Sequence, residues 1–176
     1  MITNSRSDNV NTRNLVVDIL LAVTRDGAFS HIAIRDVLDK YRYLPKQDRA
    51  FITRLSQGTI ERMIELDAII NQFSKTKVKK MKPVIAAILR SGVYQLKYMD
   101  SVPDSAACNE AVKLTVKRGF GGLKGFVNGV MRTIARNMDQ IRYPDAEKEP
   151  VRYLSVKYSI PEWLVQRFTE QYGAEA

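Results

Sequence analysis

Apolar residues recur every three or four positions along almost the whole chain, and this spacing places them on one face of a helix. The first of these apolar faces consists of Leu15, Ile19, Leu20 and Val23. No stretch of five or more residues alternates convincingly between apolar and polar side chains, as a half-buried strand would. The sequence therefore predicts an all-α fold, a bundle of helices around one apolar core.

Capping and helix-breaking residues indicate where the helices begin and end. Asn11 or Thr12 is a suitable cap for the first helix, and Ser30 for the second. The third apolar stretch is long, and because Gly58 can bend or split it, either one helix or two would fit. Pro83 is well placed to open the next helix, which is apolar on most sides and is therefore expected at the centre.

Changes in composition divide the chain into four parts. Residues 1–11 are polar and are expected to form a flexible N-terminus. Residues 12–138 hold the main series of helical patterns. The charged, proline-containing residues 139–150 are expected to be a linker, and residues 151–176 carry two shorter helical patterns that form a C-terminal extension.

The positive charge is concentrated in two windows of the sequence. The chain of 176 residues has a formal net charge of +9. Residues 68–99 contain seven basic residues and residues 111–138 contain six, and neither window contains an acidic residue. The two windows together carry +13, so the rest of the chain is at −4. Charge gathered in this way favours a polyanion, such as a nucleic acid, as the partner.

Several other kinds of site are disfavoured by composition. Cys108 is the only cysteine and His31 the only histidine, which excludes an internal disulfide and a Cys/His zinc cluster. We expect Cys108 to be a small core residue and His31 to have a surface or capping role. The longest apolar run near the start contains Asp18 and lacks a signal-peptide cleavage site, so we expect a cytoplasmic protein without a membrane partner.

The segment from Gly119 to Gly125 contains four glycines in seven positions. It does not fit a dinucleotide fingerprint, because the sixth position is Lys124, and it does not fit a P-loop. Gly119 can instead take the left-handed conformation that ends a helix, and the next two glycines can turn the backbone into another helix. A second interpretation adds that the exposed N–H groups and the lysine at this helix start would bind a phosphate.

The helix that follows the glycines carries a row of polar and basic side chains. Lys124, Asn128, Arg132 and Arg136 recur every four residues, on a face separate from the apolar one. Lys113 and Lys117 lie one turn apart on the preceding helix. They would extend this row if the two helices are antiparallel neighbours. The alternative is that these cations only solvate a helix surface.

Three motifs within residues 88–134 together resemble the signature of NusB-like RNA-binding domains. They are Leu-Arg-x-Gly-x-Tyr-x-Leu from Leu89, Val-Pro-x-x-x-Ala-x-Asn-Glu-Ala from Val102, and Gly-Phe-Val-Asn-Gly-Val from Gly125. The flanking residues 48–73 and 155–173 resemble this domain where it precedes the catalytic part of bacterial ribosomal RNA cytosine-C5 methyltransferases of the RsmB (Sun/Fmu) type.

The resemblance implies a NusB-like helical bundle that holds ribosomal RNA while a separate domain methylates a cytosine with S-adenosylmethionine. DNA is not expected as a partner. The Pro-Cys and Thr-Cys contexts of that family's catalytic cysteines do not occur here, since Cys108 stands in Ala-Cys-Asn. We therefore expect this chain to hold no cofactor and to transfer no methyl group by itself. Its last helix is expected to meet the missing methyltransferase domain through Trp163, Leu164, Phe168 and Tyr172.

The expected RNA-binding residues combine the resemblance with the two basic windows. They are Arg13, Lys79, Lys80, Lys82, Lys113, Lys117, Arg118, Lys124, Asn128, Arg132 and Arg136. Whether the lysines of residues 75–82 bind RNA or only solvate a loop stays open. A second interpretation of the whole chain is a stand-alone NusB-like antitermination factor that binds RNA together with a ribosomal protein. Residues 151–173 distinguish the two, because such a factor would lack them.

Overall fold

A computed structural model of the chain describes residues 10–173, all of whose regular structure is helical. The prediction of an all-α fold is confirmed. The helices are α1 (Thr12–Thr24), α2 (Ser30–Lys40), α3 (Lys46–Glu61), α4 (Met63–Phe73), α5 (Pro83–Tyr98), α6 (Asp104–Lys117), α7 (Lys124–Arg136), α8 (Pro150–Tyr158) and α9 (Glu162–Tyr172). Short 3₁₀ turns cover Val78–Lys80, Gly121–Leu123 and Met138–Gln140. Most of the predicted flexible N-terminus lies outside the described residues.

The first helix starts as its sequence predicts, and the second does not. Asn11 is the cap of α1, and its Oδ1 accepts a hydrogen bond from the backbone N–H of Asn14 at 3.0 Å. Ser30 is already the first helical residue of α2, and the cap position falls on Phe29, which makes no side-chain capping bond. The prediction that Ser30 caps α2 is therefore wrong by one residue.

The long third stretch forms two helices, and the break falls at Arg62 between α3 and α4. Gly58 stays inside α3 and is buried. A Cβ atom at this position would lie 2.1 Å from the hydroxyl oxygen of Tyr94 on α5. Gly58 therefore allows two helices to pack closely and does not interrupt α3.

Helix α5 occupies the centre of the bundle, as its apolar sequence predicts. Pro83 stands at its first turn, where the missing N–H costs nothing. Leu89 and Val93 are completely buried, and α5 packs against α1, α3, α4, α6 and α7. The core therefore surrounds this helix, and the remaining helices present their outer faces to solvent.

A buried carboxylate lies where α4 meets the end of α5. Glu65 is almost fully buried and accepts a hydrogen bond from the hydroxyl of Tyr98. Its carboxylate oxygens also lie 3.8 Å from Arg62 Nη1 and 4.0 Å from Lys97 Nζ. Burial raises the pKa of Tyr98, and the hydrogen bond to Glu65 raises it further. The charge on Glu65 is thus balanced by cations and held by a phenol that stays protonated.

The segment between α7 and α8 is held against the body at two points. Gln72 on α4 donates a hydrogen bond to the carbonyl oxygen of Arg142 at 2.7 Å and accepts one from its N–H at 2.9 Å. Lys97 on α5 donates to the hydroxyl of Tyr143 at 3.0 Å. Residues of the expected linker are therefore in contact with two helices of the body.

The C-terminal extension packs on the body through α8 and α4, and α9 packs on α8. The hydroxyl of Ser159 accepts a hydrogen bond from the N–H of Ile64 at 3.1 Å, and Arg62 donates to the carbonyl oxygen of Lys157 at 3.2 Å. Both contacts join the start of α4 to the end of α8, so the extension is positioned by hydrogen bonds as well as by apolar packing.

Candidate nucleic-acid interface

The glycine-rich corner joins α6 to α7 in the way predicted for Gly119. This residue has a φ of +84°, in the left-handed region that favours glycine. The N–H of Phe120 reaches back to the carbonyl oxygen of Thr115 at 2.9 Å, which satisfies a carbonyl left open at the helix end. Because helices flank the corner on both sides, it is not the strand–turn–helix arrangement in which Rossmann-type folds hold a dinucleotide or a similar cofactor.

Helices α6 and α7 are neighbours that run in opposite directions, and a shallow groove lies between their exposed faces. It is lined by Asn109, Val112, Lys113, Lys124, Gly125 and Asn128. We call it the α6/α7 groove. The structure therefore brings together Lys113 from the preceding helix and the start of the basic row on α7, as the sequence predicts for antiparallel neighbours.

The guanidinium group of Arg132 is fixed beside this groove. Its Nε donates to Asn128 Oδ1 at 2.9 Å, and its Nη2 donates to Asn109 Oδ1 at 2.9 Å. Two neutral amides thus orient the cation without cancelling its charge, and an exposed guanidinium held in one position is well suited to a phosphate.

The other cations of the α6/α7 surface differ in their surroundings. Lys113 lies 3.2 Å from Glu110 Oε1, in an exposed pair one turn apart on α6. Lys117, Lys124 and Arg136 are exposed, and none forms an ion pair with a carboxylate of residues 10–173. An exposed ion pair such as Lys113–Glu110 contributes little to stability, so a polyanion can compete for this lysine as well.

Arg118 points away from the groove and joins α6 to α1. Its Nε donates to Asn14 Oδ1 at 2.7 Å, and its Nη2 donates to the carbonyl oxygen of Asn14 at 2.8 Å and to Asp18 Oδ1 at 2.7 Å. Only 18% of its side chain is exposed. These contacts give Arg118 a structural role, and its role in RNA binding stays a prediction.

Arg13 is also held within the body. Its Nε donates to Gln95 Oε1 at 2.7 Å, and its guanidinium lies 5.0 Å from the ring centre of Phe51. Burial lowers the pKa of Arg13, and the charge of Glu110 opposes this shift. The contacts of Arg13 support α1 on α3 and α5, and its predicted RNA contact also stays a prediction.

The lysine-rich turn, residues 75–82, lies next to the glycine corner. Lys79, Lys80 and Lys82 are exposed. Lys82 Nζ lies 5.8 Å from the ring centre of Phe120, so the two basic windows of the sequence meet at this end of the bundle. The contact is a cation–π pair, which places the ammonium group without neutralising it.

Some residues of the candidate interface were missed by sequence reasoning. Asn109, interpreted as part of a fold signature, orients Arg132 across the α6/α7 groove. Its spacing of four from Lys113 was the available signal, because it places both on one helix face. Arg142 and Arg152 lie in a second groove together with Lys77 and Lys79. No local pattern predicts that grouping, because its members come from distant parts of the chain.

Residues outside these surfaces agree with their expected roles. Cys108 is buried and its burial raises the pKa of the thiol, as expected of a core residue. His31 is exposed and stacks on Phe29. Among residues 10–173, no helix is both long and apolar enough to cross a membrane, and no group of acidic, histidine or cysteine side chains is arranged to hold a metal ion.

Helix α9 carries three exposed aromatic rings. Trp163, Phe168 and Tyr172 are 62%, 53% and 60% exposed, and Leu164 is partly buried. Val165, three residues before Phe168 and seven before Tyr172, lies on the same side of the helix as these two rings and is buried. Leu164, Phe168 and Tyr172 share one side of α9, but Trp163 lies nine residues, about two and a half turns, from Tyr172 and so on the other side. The four residues therefore do not form a single face as predicted, and their contact with another domain stays a prediction.

The family model described as the NusB family matches residues 10–136, which include every helix from α1 to α7. The chain belongs to the NusB family. It is 37% identical over 164 residues to the probable ribosomal RNA small subunit methyltransferase B of Bacillus subtilis. The match covers 93% of this chain and 36% of that protein, so the chain spans about a third of its curated relative's length. The resemblance to this group of methyltransferases is thereby confirmed.

Solved structures confirm the NusB fold. A NusB chain from a crystal structure of antitermination factors NusB and NusE in complex with dsRNA has a TM-score of 0.65 and 21% identity. It covers 71% of this chain and 93% of its own length. The structure of PH0851 has a TM-score of 0.70 and 17% identity, and it covers 94% of this chain and 37% of its own. The second likeness therefore extends over more of this chain than the first.

Proposed function

We propose that this chain is an RNA-binding domain that positions ribosomal RNA for cytosine-C5 methylation by a separate, S-adenosylmethionine-dependent domain of a longer protein. The observation that carries the proposal is the α6/α7 groove, where Lys113, Lys124 and a fixed Arg132 gather beside two amides. The similarity to a ribosomal RNA methyltransferase over 93% of the chain supports the choice of RNA.

The chemistry of the groove suits a phosphate backbone. Lysine and arginine on one surface bind phosphates by displacing condensed counterions, which makes the affinity depend on salt. Asn128 and Asn109 hold Arg132 at a set position, and Gly125 keeps the floor of the groove free of a side chain. We infer that the groove receives the RNA strand and that its cations act on the backbone, while the choice of nucleotide lies elsewhere.

The catalytic part of the proposed function belongs to protein segments outside this chain. The glycine corner between α6 and α7 does not fit a nucleotide-type cofactor. We therefore assign S-adenosylmethionine to the methyltransferase domain. The exposed rings of Trp163, Phe168 and Tyr172 are the proposed docking contacts for that domain, because aromatic side chains are enriched at protein interfaces. A cytoplasmic location, where ribosomal RNA is made and modified, follows from the same proposal.

The test is a charge reversal on the exposed row of α7. We expect Lys124→Glu, Arg132→Glu and Arg136→Glu together to weaken binding to a fragment of small-subunit ribosomal RNA. Each lost phosphate contact removes about 0.7–0.9 from the slope of log affinity against log salt, so the slope should fall by about 2–3. Fluorescence anisotropy at several salt concentrations measures both quantities.

The matched control reverses three exposed arginines outside the groove, namely Arg25, Arg35 and Arg42. It changes the net charge by the same amount, so it separates a local contact from the general charge of the protein. An unchanged slope in the α7 variant, or an equal change in the control, would falsify the assignment of RNA to this groove.

A stand-alone antitermination factor is the second candidate, because the NusB chain of a NusB–NusE–RNA structure shares this fold. Such a factor would bind RNA more tightly with its ribosomal-protein partner present. We expect no such increase here, because the likeness to that structure covers 71% of this chain, whereas the match to the methyltransferase covers 93%. An RNA affinity that rises when the purified ribosomal protein is added would favour this second candidate.

A further inference from the structure

A second groove lies between α4, the lysine-rich turn and the C-terminal extension, and we call it the α4/α8 groove. Its charged and aromatic lining consists of Asp67, Lys77, Lys79, Arg142, Tyr143 and Arg152. Body, connecting segment and α8 each contribute cations. The groove therefore exists only because the extension is packed against α4.

The charge of the α4/α8 groove is positive. Its one carboxylate, Asp67, is neutralised by Arg90, which donates two hydrogen bonds to it at 2.7 and 2.8 Å. Arg152 lies 3.2 Å from Glu149 Oε1, but the two side chains are 61% and 49% exposed. An exposed pair of this kind contributes little, so Arg152 remains available to a stronger anion. Lys77, Lys79 and Arg142 make no ion pair with a carboxylate of the described residues.

The walls of this groove are held in place by contacts to the backbone. Lys77 Nζ donates to the carbonyl oxygen of Asn71 at 3.2 Å, and Asn71 Oδ1 accepts from the N–H of Val78 at 2.9 Å. The two hydrogen bonds between Gln72 and the backbone of Arg142 fix the opposite wall. The segments that carry the cations are thus positioned before any ligand arrives, which lowers the entropic cost of binding.

The lysine-rich turn lines one basic groove and reaches the glycine corner beside the other. Lys79 lines the α4/α8 groove, and Lys82, three residues later, lies over Phe120 at the glycine corner that opens α7. Three residues span at most about 10 Å of backbone. A strand leaving one groove therefore meets the other without crossing an acidic surface on this turn, since residues 68–99 contain no carboxylate.

We propose that the α4/α8 groove is a second binding site for RNA backbone, occupied by a single-stranded segment continuous with the one in the α6/α7 groove. The inference rests on the proposed RNA-binding function and extends it to the C-terminal extension. Cations spread along an open groove suit successive phosphates, and the ring of Tyr143 among them suits a base, the combination used by proteins that bind single strands.

The experiment compares four charge-reversed forms of the chain with the unaltered protein, and the fourth combines the groove variant with the α7 variant. The groove variant carries Lys79→Glu, Arg142→Glu and Arg152→Glu. The α7 variant and the control of Arg25, Arg35 and Arg42 are those described above. Circular dichroism confirms that each variant keeps its helices. The probes are single-stranded oligouridylates of about 8 and about 30 nucleotides, since one groove of this kind holds roughly 4–16 nucleotides.

The long RNA is expected to lose affinity about tenfold or more in the groove variant, with a salt slope smaller by about 2–3. The short RNA fits in one groove, so it should be affected much less. Combining the groove and α7 reversals should reduce the slope for the long RNA further than either alone. The control variant should bind both RNAs as the unaltered protein does.

Three results would overturn the proposal in distinguishable ways. A groove variant that binds the long RNA as the control does, while the α7 variant is weakened, rejects the second site and leaves the proposed function standing. An unaltered protein that binds neither RNA rejects both. Polyglutamate is a third probe. If the groove variant no longer binds polyglutamate but binds RNA as before, the groove belongs to an acidic protein and the proposal is overturned.

Discussion

Gly58 and Gly129 are both inside helices, yet their surroundings are opposite. A Cβ atom on Gly58 would lie 2.1–2.6 Å from the Tyr94 side chain, whereas one on Gly129 would meet nothing within 4 Å. Alanine in place of a helical glycine usually stabilises a protein, because the unfolded chain loses less entropy on folding. The same substitution at these two positions therefore separates backbone entropy from packing.

Gly58→Ala is expected to lower the free energy of unfolding by about 1–3 kcal/mol, the usual cost of forcing atoms into a packed core. Gly129→Ala is expected to raise it by about 0.5–1 kcal/mol. Urea unfolding followed by circular dichroism measures both. If Gly58→Ala were as stabilising as Gly129→Ala, the close contact with Tyr94 would not exist in solution.

Helix α6 carries two adjacent cations with different tasks. Arg118 holds α6 against α1 through Asn14 and Asp18, while Lys117 is exposed near the glycine corner. Sequence reasoning placed both in the RNA-binding set, since both belong to the same acid-free window. The direction of each side chain around the helix distinguishes them, because adjacent residues on a helix face different ways.

Arg118→Met is expected to lower the free energy of unfolding by about 1–3 kcal/mol, because two or three charge-assisted hydrogen bonds are lost. Its RNA affinity should stay close to that of the unaltered protein at a temperature where it is folded. Lys117→Met should change stability by less than about 0.5 kcal/mol. It should reduce the salt slope by up to about 0.9. Denaturant unfolding and anisotropy distinguish the two, and the reverse pattern would restore Arg118 to the RNA-binding set.

The body and the C-terminal extension are joined by contacts along α4. Val156 on α8 is buried, Ser159 accepts from Ile64, and Gln72 holds Arg142. Because the α4/α8 groove is made from both parts, its function depends on the extension staying in place. A chain held together in this way should unfold as one cooperative unit.

Trp163 is the only tryptophan of the sequence and lies on α9, so its fluorescence reports on the extension alone. Far-ultraviolet circular dichroism reports on all helices. The two urea transitions are expected to coincide. Gln72→Ala, which releases Arg142, should move the fluorescence midpoint to lower urea, while Gln57→Ala, whose side chain bonds only Glu61 of its own helix, should not. Separate transitions in the unaltered protein would show an extension that folds independently.

The helices and the two basic windows could be predicted from the sequence because both are local properties. Apolar spacing, the Asn11 cap, the proline that opens α5 and the left-handed Gly119 all act within one or two turns of the chain. The motifs within residues 88–134 supplied the family as well. The position of the break at Arg62 was not predicted. The sequence pointed to Gly58 as the place for a break, but this glycine is required by the side chain of Tyr94 on another helix.

Only the tertiary structure decided which cations share a surface. It turned Arg13 and Arg118 inward, set Lys82 beside the glycine corner and brought Arg142 and Arg152 to the lysine-rich turn. Residues 38 or more positions apart meet through the packing of helices, and the period of a single helix contains no information about its neighbours. The sequence by itself thus determined a basic helical domain of the NusB family, and the packing of its extension determined where a second groove lies.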